Sequence, residues 1–349
     1  MIVVNSSGSD NVYPTLDHAP WHGCTFADFV FPSFLVIMGV SLSLSLRGRL
    51  ERGEHRERIF KQALQRAAII FGLGLLMNLV YYASGSQPNF RYMGVLQRIA
   101  LCYLLSSTLF LVSGWKRQAA VTAALIAGYW LLLTRVPVPG YGAPDLTEQG
   151  NLASWLDRAL LAGHLYKPYF DPEGLLGTIP SVATTLFGVL AARWLGSRAA
   201  PERKALGMIA AGLALAAAGY LWSATFPFNK HLWTSSFALW TGGVSLALLG
   251  ACYGVIELRG AWKWLRPLEW FGRNSLLSYF LSGLLYGLQE FVSIHGADGR
   301  MNVKLWITNI LFGSWLQPRA ASLAYALVFT ALCLLMMAEL HRRKVYLKI

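Results

Sequence analysis

Asp28-Phe29-Val30-Phe31-Pro32-Ser33-Phe34-Leu35-Val36-Ile37-Met38-Gly39-Val40-Ser41-Leu42-Ser43-Leu44-Ser45-Leu46 opens on a carboxylate and then continues to Leu46 without another charge. A helix needs roughly 17 to 25 such residues to cross the hydrocarbon of a bilayer, and this run suffices. Working outward, comparable apolar runs are read at 64–82, 94–113, 119–135, 177–195, 205–223, 235–257, 272–292 and 320–340. The pattern predicts an all-α, polytopic transmembrane helix bundle of about nine full spans, folded as a single domain over residues 1–349. Composition agrees, with 55% hydrophobic and 13% charged residues, whereas soluble domains carry roughly a quarter charged. Mean hydropathy is +0.44. Most runs contain Gly, Ala, Ser or Thr, which let helices approach closely in lipid, so a compact bundle is expected. The run 303–316 is too short to span and has Trp306 and Trp315 near its ends, which predicts an interfacial or re-entrant helix.

The formal net charge of +13 does not point to nucleic acid, because the basic residues form no single stripe with interleaved aromatics. They alternate by loop. With the nine spans above, 21 of the 30 Lys and Arg fall on one face, in the segments 47–66, 116–117, 193–204, 259–273 and 342–348. The positive-inside rule makes that face and the C-terminus cytoplasmic and leaves the segment before Asp28 outside. An inner (cell) membrane protein is the expected setting, with membrane lipid as a partner. Cys102, Cys252 and Cys333 lie within spans and Cys24 stands alone outside, which fits neither a disulfide framework nor a zinc site. No metal-ligand cluster or Gly-rich phosphate loop is present, so neither metal catalysis nor nucleotide hydrolysis is expected.

Immediately before the quoted run lies Asp17-His18-Ala19-Pro20-Trp21-His22-Gly23-Cys24-Thr25-Phe26-Ala27-Asp28. Two imidazoles and two carboxylates at the mouth of a membrane helix are costly to keep without a use, and imidazole exchanges protons near neutral pH. Residues 1–27 are therefore read as an external catalytic loop. A second external segment, 136–176, is long for a loop and reads as lid-like, with a helix over Asn151 to Leu161. Its Tyr141, Trp155, Tyr166, Tyr169 and Phe170 offer faces for sugar rings, while Asp171 and Glu173 can accept hydrogen bonds from hydroxyls or an ammonium. An aromatic belt at headgroup level is the plainer reading of the same residues. Asp28 and Arg98, near the external ends of their spans, are grouped with the substrate site. They are expected to pair and to hold the His18 loop against the bundle.

The histidine segment resembles the signature of the heparan-alpha-glucosaminide N-acetyltransferase family. The resemblance continues through Asp28-Phe29-Val30-Phe31-Pro32, Gly94-Val95-Leu96-Gln97-Arg98, Thr178-Ile179-Pro180, Phe228-Asn229-Lys230-His231-Leu232-Trp233 and Gly272-Arg273-Asn274-Ser275, in the family's order. It implies a membrane enzyme that moves an acetyl group from acetyl-CoA to an amino sugar across the bilayer. His18 matches the family's catalytic histidine, and Asn5 resembles its active-site asparagine at the external end of a first helix. His22 is treated as a second layer. Gln97, Asn229 and Lys230 are candidates for sugar or pantetheine hydrogen bonds. On the cytoplasmic side Arg66, Arg193, Arg273, Asn274 and Ser275 are candidates for the acetyl-CoA phosphates. The resemblance also implies a full helix before the histidine loop, of which Met1-Ile2-Val3-Val4 reads as a remnant.

Acetyl transfer to an amine needs a base or an acetyl-carrying nucleophile and a donor to the oxyanion, and imidazole fills either of the first two roles. The expected function is transmembrane N-acetylation of a glucosamine-type sugar, by direct transfer or through an acetyl-histidine. An O-acetyltransferase of an envelope polysaccharide and a sugar or glycolipid transporter are the competing classes. The transporter lacks support from any internal repeat. The expected partners are an amino-sugar or glycan acceptor and lipid, with no nucleic acid and a homodimer left open.

Overall fold

The computed structural model describes residues 1–258, 260, 265–296 and 299–346; Arg259, Lys263 and Lys348, counted among the basic positions, lie outside the described residues. The chain opens with a four-residue helix α1, Ile2–Asn5. The apolar run at Asp28 begins as a 3-10 turn over Phe26–Phe29 and continues as α2, Val30–Glu51. Thr25 and Asp28 form a capping box there, so the carboxylate that opens the run also fixes where its helix starts.

There follow α3 (Arg56–Ala83), α4 (Val95–Val112), α5 (Trp115–Arg135), α6 (Leu152–Leu160), α7 (Thr178–Leu195) and α8 (Pro201–Trp222). After them come α9 (Ser235–Tyr253), α10 (Arg266–Arg273), α11 (Ser275–Phe291), α12 (Val303–Thr308) and α13 (Pro318–Arg342). A hairpin of β1 (Ser293–Gly296) and β2 (Gly299–Asn302) joins α11 to α12. Pro201 and Pro318 stand at helix starts, where an N–H would have no partner anyway.

Among the described residues seven helices are long and apolar enough to cross a membrane: 26–51, α3, α4, α7, α8, 235–258 and α13. The other two expected spans are helical but fall outside that set. In α5 the first turn is Trp115-Lys116-Arg117-Gln118, and α11 has 17 residues. Residues 303–313 form a short apolar helical segment, as expected. The helix expected over 151–161 is α6, capped by the Asn151 side chain, which accepts from Ser154 N.

The small residues do what their distribution predicted. A Cβ on Gly39 would lie 2.0 Å from the Thr185 carbonyl oxygen, and one on Gly188 would lie 1.9 Å from that of Val36, so α2 and α7 cross with backbones in contact. The central helix is α7, whose Ser181, Thr184 and Thr185 are fully buried. Each of these three hydroxyls returns to the carbonyl four residues before it, so none of them is orphaned.

At one end of the bundle the core is topped by Trp233, buried between Phe31 and Phe237 in edge-to-face contacts. Its backbone sits at φ 54, a region that costs a bulky residue of order 1–3 kcal/mol. Several bonds impose it. The Trp233 indole donates to Thr184 Oγ1, Asn229 Oδ1 accepts from Leu232 N, and Tyr129 donates to the Leu232 carbonyl. The loop from α8 to α9 is thereby rigid, and it carries Lys230 and His231.

Candidate active site

Asp28 is wholly buried and its two oxygens are fully engaged. One accepts from Thr25 N at 2.9 Å and Thr25 Oγ1 at 3.1 Å within the local turn, and from Ala19 N at 3.2 Å in the histidine loop. The other lies 2.8 Å from Nδ1 of His18. Backbone capping therefore anchors the carboxylate, and the carboxylate orients the imidazole.

Lys230 approaches the same ring from the α8–α9 loop, with Nζ 2.9 Å from Nδ1, 3.0 Å from Nε2 and 3.5 Å from Asp28 Oδ1. Nδ1 cannot both give its proton to Asp28 and receive one from Lys230. The arrangement that satisfies all three groups puts Nδ1–H on Asp28 and lets Lys230 donate to Nε2. Burial pulls the Lys230 ammonium below its ordinary pKa, against the opposing pull of Asp28 and Glu173. Burial also lowers the His22 and His231 imidazoles, and pushes the Cys24 thiol up to about 12 with Asp28 adding to it, which makes Cys24 a poor nucleophile.

His18, Lys230 and His231 line a cavity of about 750 Å³ with Asn5, Arg91, Tyr166, Glu173, Tyr279 and Glu290. Asn5 and His18, separated by a Ser-rich stretch in the sequence, thus share one chamber. A second cavity of about 460 Å³ shares Met1, Ile2 and Tyr279 with it as lining residues and reaches Arg66 and Ser275. Arg66 lies over the Tyr103 ring at 5.0 Å, and its Nε is buried without a partner among the described residues.

The segment 136–176 is tied down over the histidine loop. The Trp21 indole donates to the Leu146 carbonyl at 2.8 Å, His231 stacks on Trp21 at 5.5 Å, and Phe170 packs edge-on against both. Of the five aromatic residues expected to offer faces to a sugar, Tyr166 lines the main cavity. Phe170 is buried in the Trp21 cluster, and Tyr141 is stacked with Arg158.

The expected pairing of Asp28 with Arg98 is not made. Local capping saturates Asp28, whereas Arg98, also fully buried, donates to the Gly174 carbonyl at 3.0 Å and lies over the Trp233 ring. Gln97 packs between Gly74 and Gly94. Asn229 closes the α8–α9 turn, with its amide 3.4 Å from His22 Nδ1. At the opposite end, Arg273 pairs with Glu269 at 2.8 Å and meets Tyr346, and Asn274 donates to the Val345 carbonyl, so both brace the C-terminal segment. Arg193 lies over Trp115.

The residue that sequence reasoning passed over is Arg91. It is buried between Asp171 and Glu173 and bonded to both, with Nε 2.7 Å from Asp171. The signal was there: a charged residue between Phe90 and Tyr92 beside a span end needs a partner, and two carboxylates waited in the other long loop.

A family described as "Heparan-alpha-glucosaminide N-acetyltransferase, catalytic" matches residues 11–220, a stretch that includes His18, Asp28, Arg91 and Glu173. The chain belongs to this family. Among curated proteins it is 27% identical to the Homo sapiens heparan-alpha-glucosaminide N-acetyltransferase, over the whole chain and 58% of that protein. It is 30% identical to the Mus musculus protein of the same name, over 80% of the chain and 50% of that protein. The chain therefore spans between half and three-fifths of the length of these relatives. Among the described residues no cluster of His, Cys, Asp and Glu fit to hold a metal ion is present.

Proposed function

We propose that this chain is a transmembrane acetyltransferase that takes its acetyl group from acetyl-CoA on the basic side of the bundle and delivers it to the amino group of a glucosamine-type sugar on the His18 side. In this reading α5 and α11 cross the membrane with the other seven helices, in the inner membrane. The observation that carries it is the His18–Asp28 contact beside the main cavity, with a second cavity next to it that reaches Arg66. A neutral imidazole with its Nδ1–H held by a buried carboxylate presents Nε2 as base or nucleophile.

The two neighbouring cavities and the unpartnered Nε of Arg66 fit an extended donor with a charged end. Arg66 and Ser275 would hold that end, with Arg273 and Asn274 on the same side. Acetyl-CoA supplies an activated thioester when bound. Lys230 must first leave Nε2, which its flexible stem permits, and once moved aside it can donate to the developing oxyanion, as can the Asn5 amide. Gln97, Arg98 and Asn229 support the walls and the turn that present these groups.

The test is incubation of the purified chain in proteoliposomes with acetyl-CoA and a panel of amino sugars and neutral glycans. Release of free thiol together with N-acetylated amino sugar is expected. Movement of sugar without thiol release would make the protein a transporter, and acetyl esters of glycans would make it an O-acetyltransferase. Rapid mixing with labelled acetyl-CoA in the absence of acceptor then separates the two routes. Labelled protein indicates relay through acetyl-His18, and none indicates direct attack by the amine.

A further inference from the structure

We infer that Glu173 is the anchor for the acceptor's protonated amine, a role that rests on the acetyltransferase reading and selects amino sugars over neutral ones. The argument is one of spare hydrogen-bonding capacity. Asp28 has both oxygens engaged by His18, Ala19 and Thr25. Asp171 has both engaged by Arg91 and the backbone N–H groups of Tyr166 and Glu173. Glu290, on the far wall, gives one oxygen to Lys304 and the other to Ser86. Asp17 also lines the cavity, with one oxygen accepting from His18 N, but it is exposed to solvent rather than enclosed.

Glu173 differs from all of these. Its side chain is 9% exposed and lines the main cavity, yet only Oε2 is bonded, to Arg91, and Oε1 makes no hydrogen bond among the described residues. Arg91 is itself clamped by Asp171, which fixes the direction of the carboxylate. An enclosed carboxylate oxygen with free lone pairs is matched by an ammonium, which brings several donors and a charge.

The groups within electrostatic reach of Glu173 are Arg91, Arg98, Asp171, Lys230, His231 and Tyr279. Burial pushes the Glu173 carboxyl up, but the Arg91 and Arg98 guanidiniums outweigh it and hold the group below the ordinary carboxylate range, so it stays ionised near neutral pH. Lys230 loses charge as pH rises, which would strengthen cation binding. Deprotonation of the acceptor amine weakens it, so the two effects have opposite signs.

The experiment is equilibrium binding of glucosamine and of glucose to the full chain in nanodiscs, which requires no acetyl transfer. In the wild type glucosamine is expected to bind at least tenfold more tightly than glucose at pH 6, with the preference declining as pH rises through the amine's own pKa. Glu173→Gln keeps an oxygen for Arg91 but removes the charge, and is expected to abolish the preference; Glu173→Asp should retain part of it. Equal binding of the two sugars by the wild type, a preference that does not change with pH, or one that survives in Glu173→Gln overturns the assignment. The wild-type pH series decides the matter if the variant does not fold. Preference for glucosamine without any acetyl transfer would leave the anchor standing and remove the acetyltransferase reading.

Discussion

His18 gains its meaning from two neighbours that approach it from different directions in the chain. Asp28 is ten positions away in sequence and is brought within 2.8 Å by the turn that starts α2, whereas Lys230 arrives from more than 200 residues later. A half-exposed imidazole held in this way has a chemical role and carries little of the fold. His18→Ala is accordingly expected to lower acetyl transfer by about a hundredfold or more, the usual worth of an acid–base group. The variant should assemble normally by size-exclusion chromatography. Turnover within tenfold of wild type would remove His18 from the chemistry. Asp28 and Arg98 form a second test, because the structure separates two charges that seemed natural partners. Asp28→Asn and Arg98→Leu should each lower the melting temperature in detergent, with additive effects in the double variant, as expected of groups that share no bond. Asp28→Asn with Lys230→Met should instead be no worse than the worse single change, because removing one member of a buried pair strands the other.

Among the elements, the lid-like segment shows how a loop becomes a wall. α6 is stitched to the segment before α7 by Asp157, which accepts from Leu175 N at 2.9 Å. Burial raises the Asp157 carboxyl to about 7, with Asp171 adding to it. The direction of the stability effect follows from linkage. A carboxyl whose pKa is raised by folding contributes fully below its unfolded value, near 3.8. That contribution is lost as pH rises toward and through about 7. The wild type should therefore lose melting temperature between pH 4 and pH 8 relative to Asp157→Asn, whose neutral amide does not titrate. Parallel melting curves for the two proteins across that range would show that Asp157 does not titrate with folding. The α8–α9 loop is the complementary case. It is strained at Trp233, and Asn229 and Tyr129 hold its backbone at Leu232 while Thr184 holds the Trp233 indole.

For the whole molecule the outstanding quantity is orientation. The basic segments gather at the end opposite the His18 cavity, as Arg47 reaching the Gly196 carbonyl and Arg56 reaching that of Leu111 indicate. If that end faces the cytoplasm, Arg52→Cys should be shielded from impermeant thiol reagents in intact cells and Glu148→Cys should be labelled. Both belong in a background without Cys24 and Cys252, the native thiols that are not buried. Labelling of Arg52→Cys from outside would put His18 on the same side as the acetyl-CoA pool, and transfer across the bilayer would have no purpose.

The membrane bundle and its close helix crossings were legible in the sequence, because they rest on local quantities: run length and small-residue content. Seven of the nine expected spans meet the length and apolarity that crossing demands, while α5 and α11 are helices of more mixed or shorter character. The partnerships were not legible. Whether Asp28 binds Arg98 or His18, and whether Glu173 belongs to Arg91, depends on which of several charges in separate loops are carried to the same end and which of their oxygens the backbone has already taken. A buried charge must find a partner, and residue types at a span end announce that need. Only the packing of α4, α7 and the α8–α9 loop against one another decides which partner is within reach.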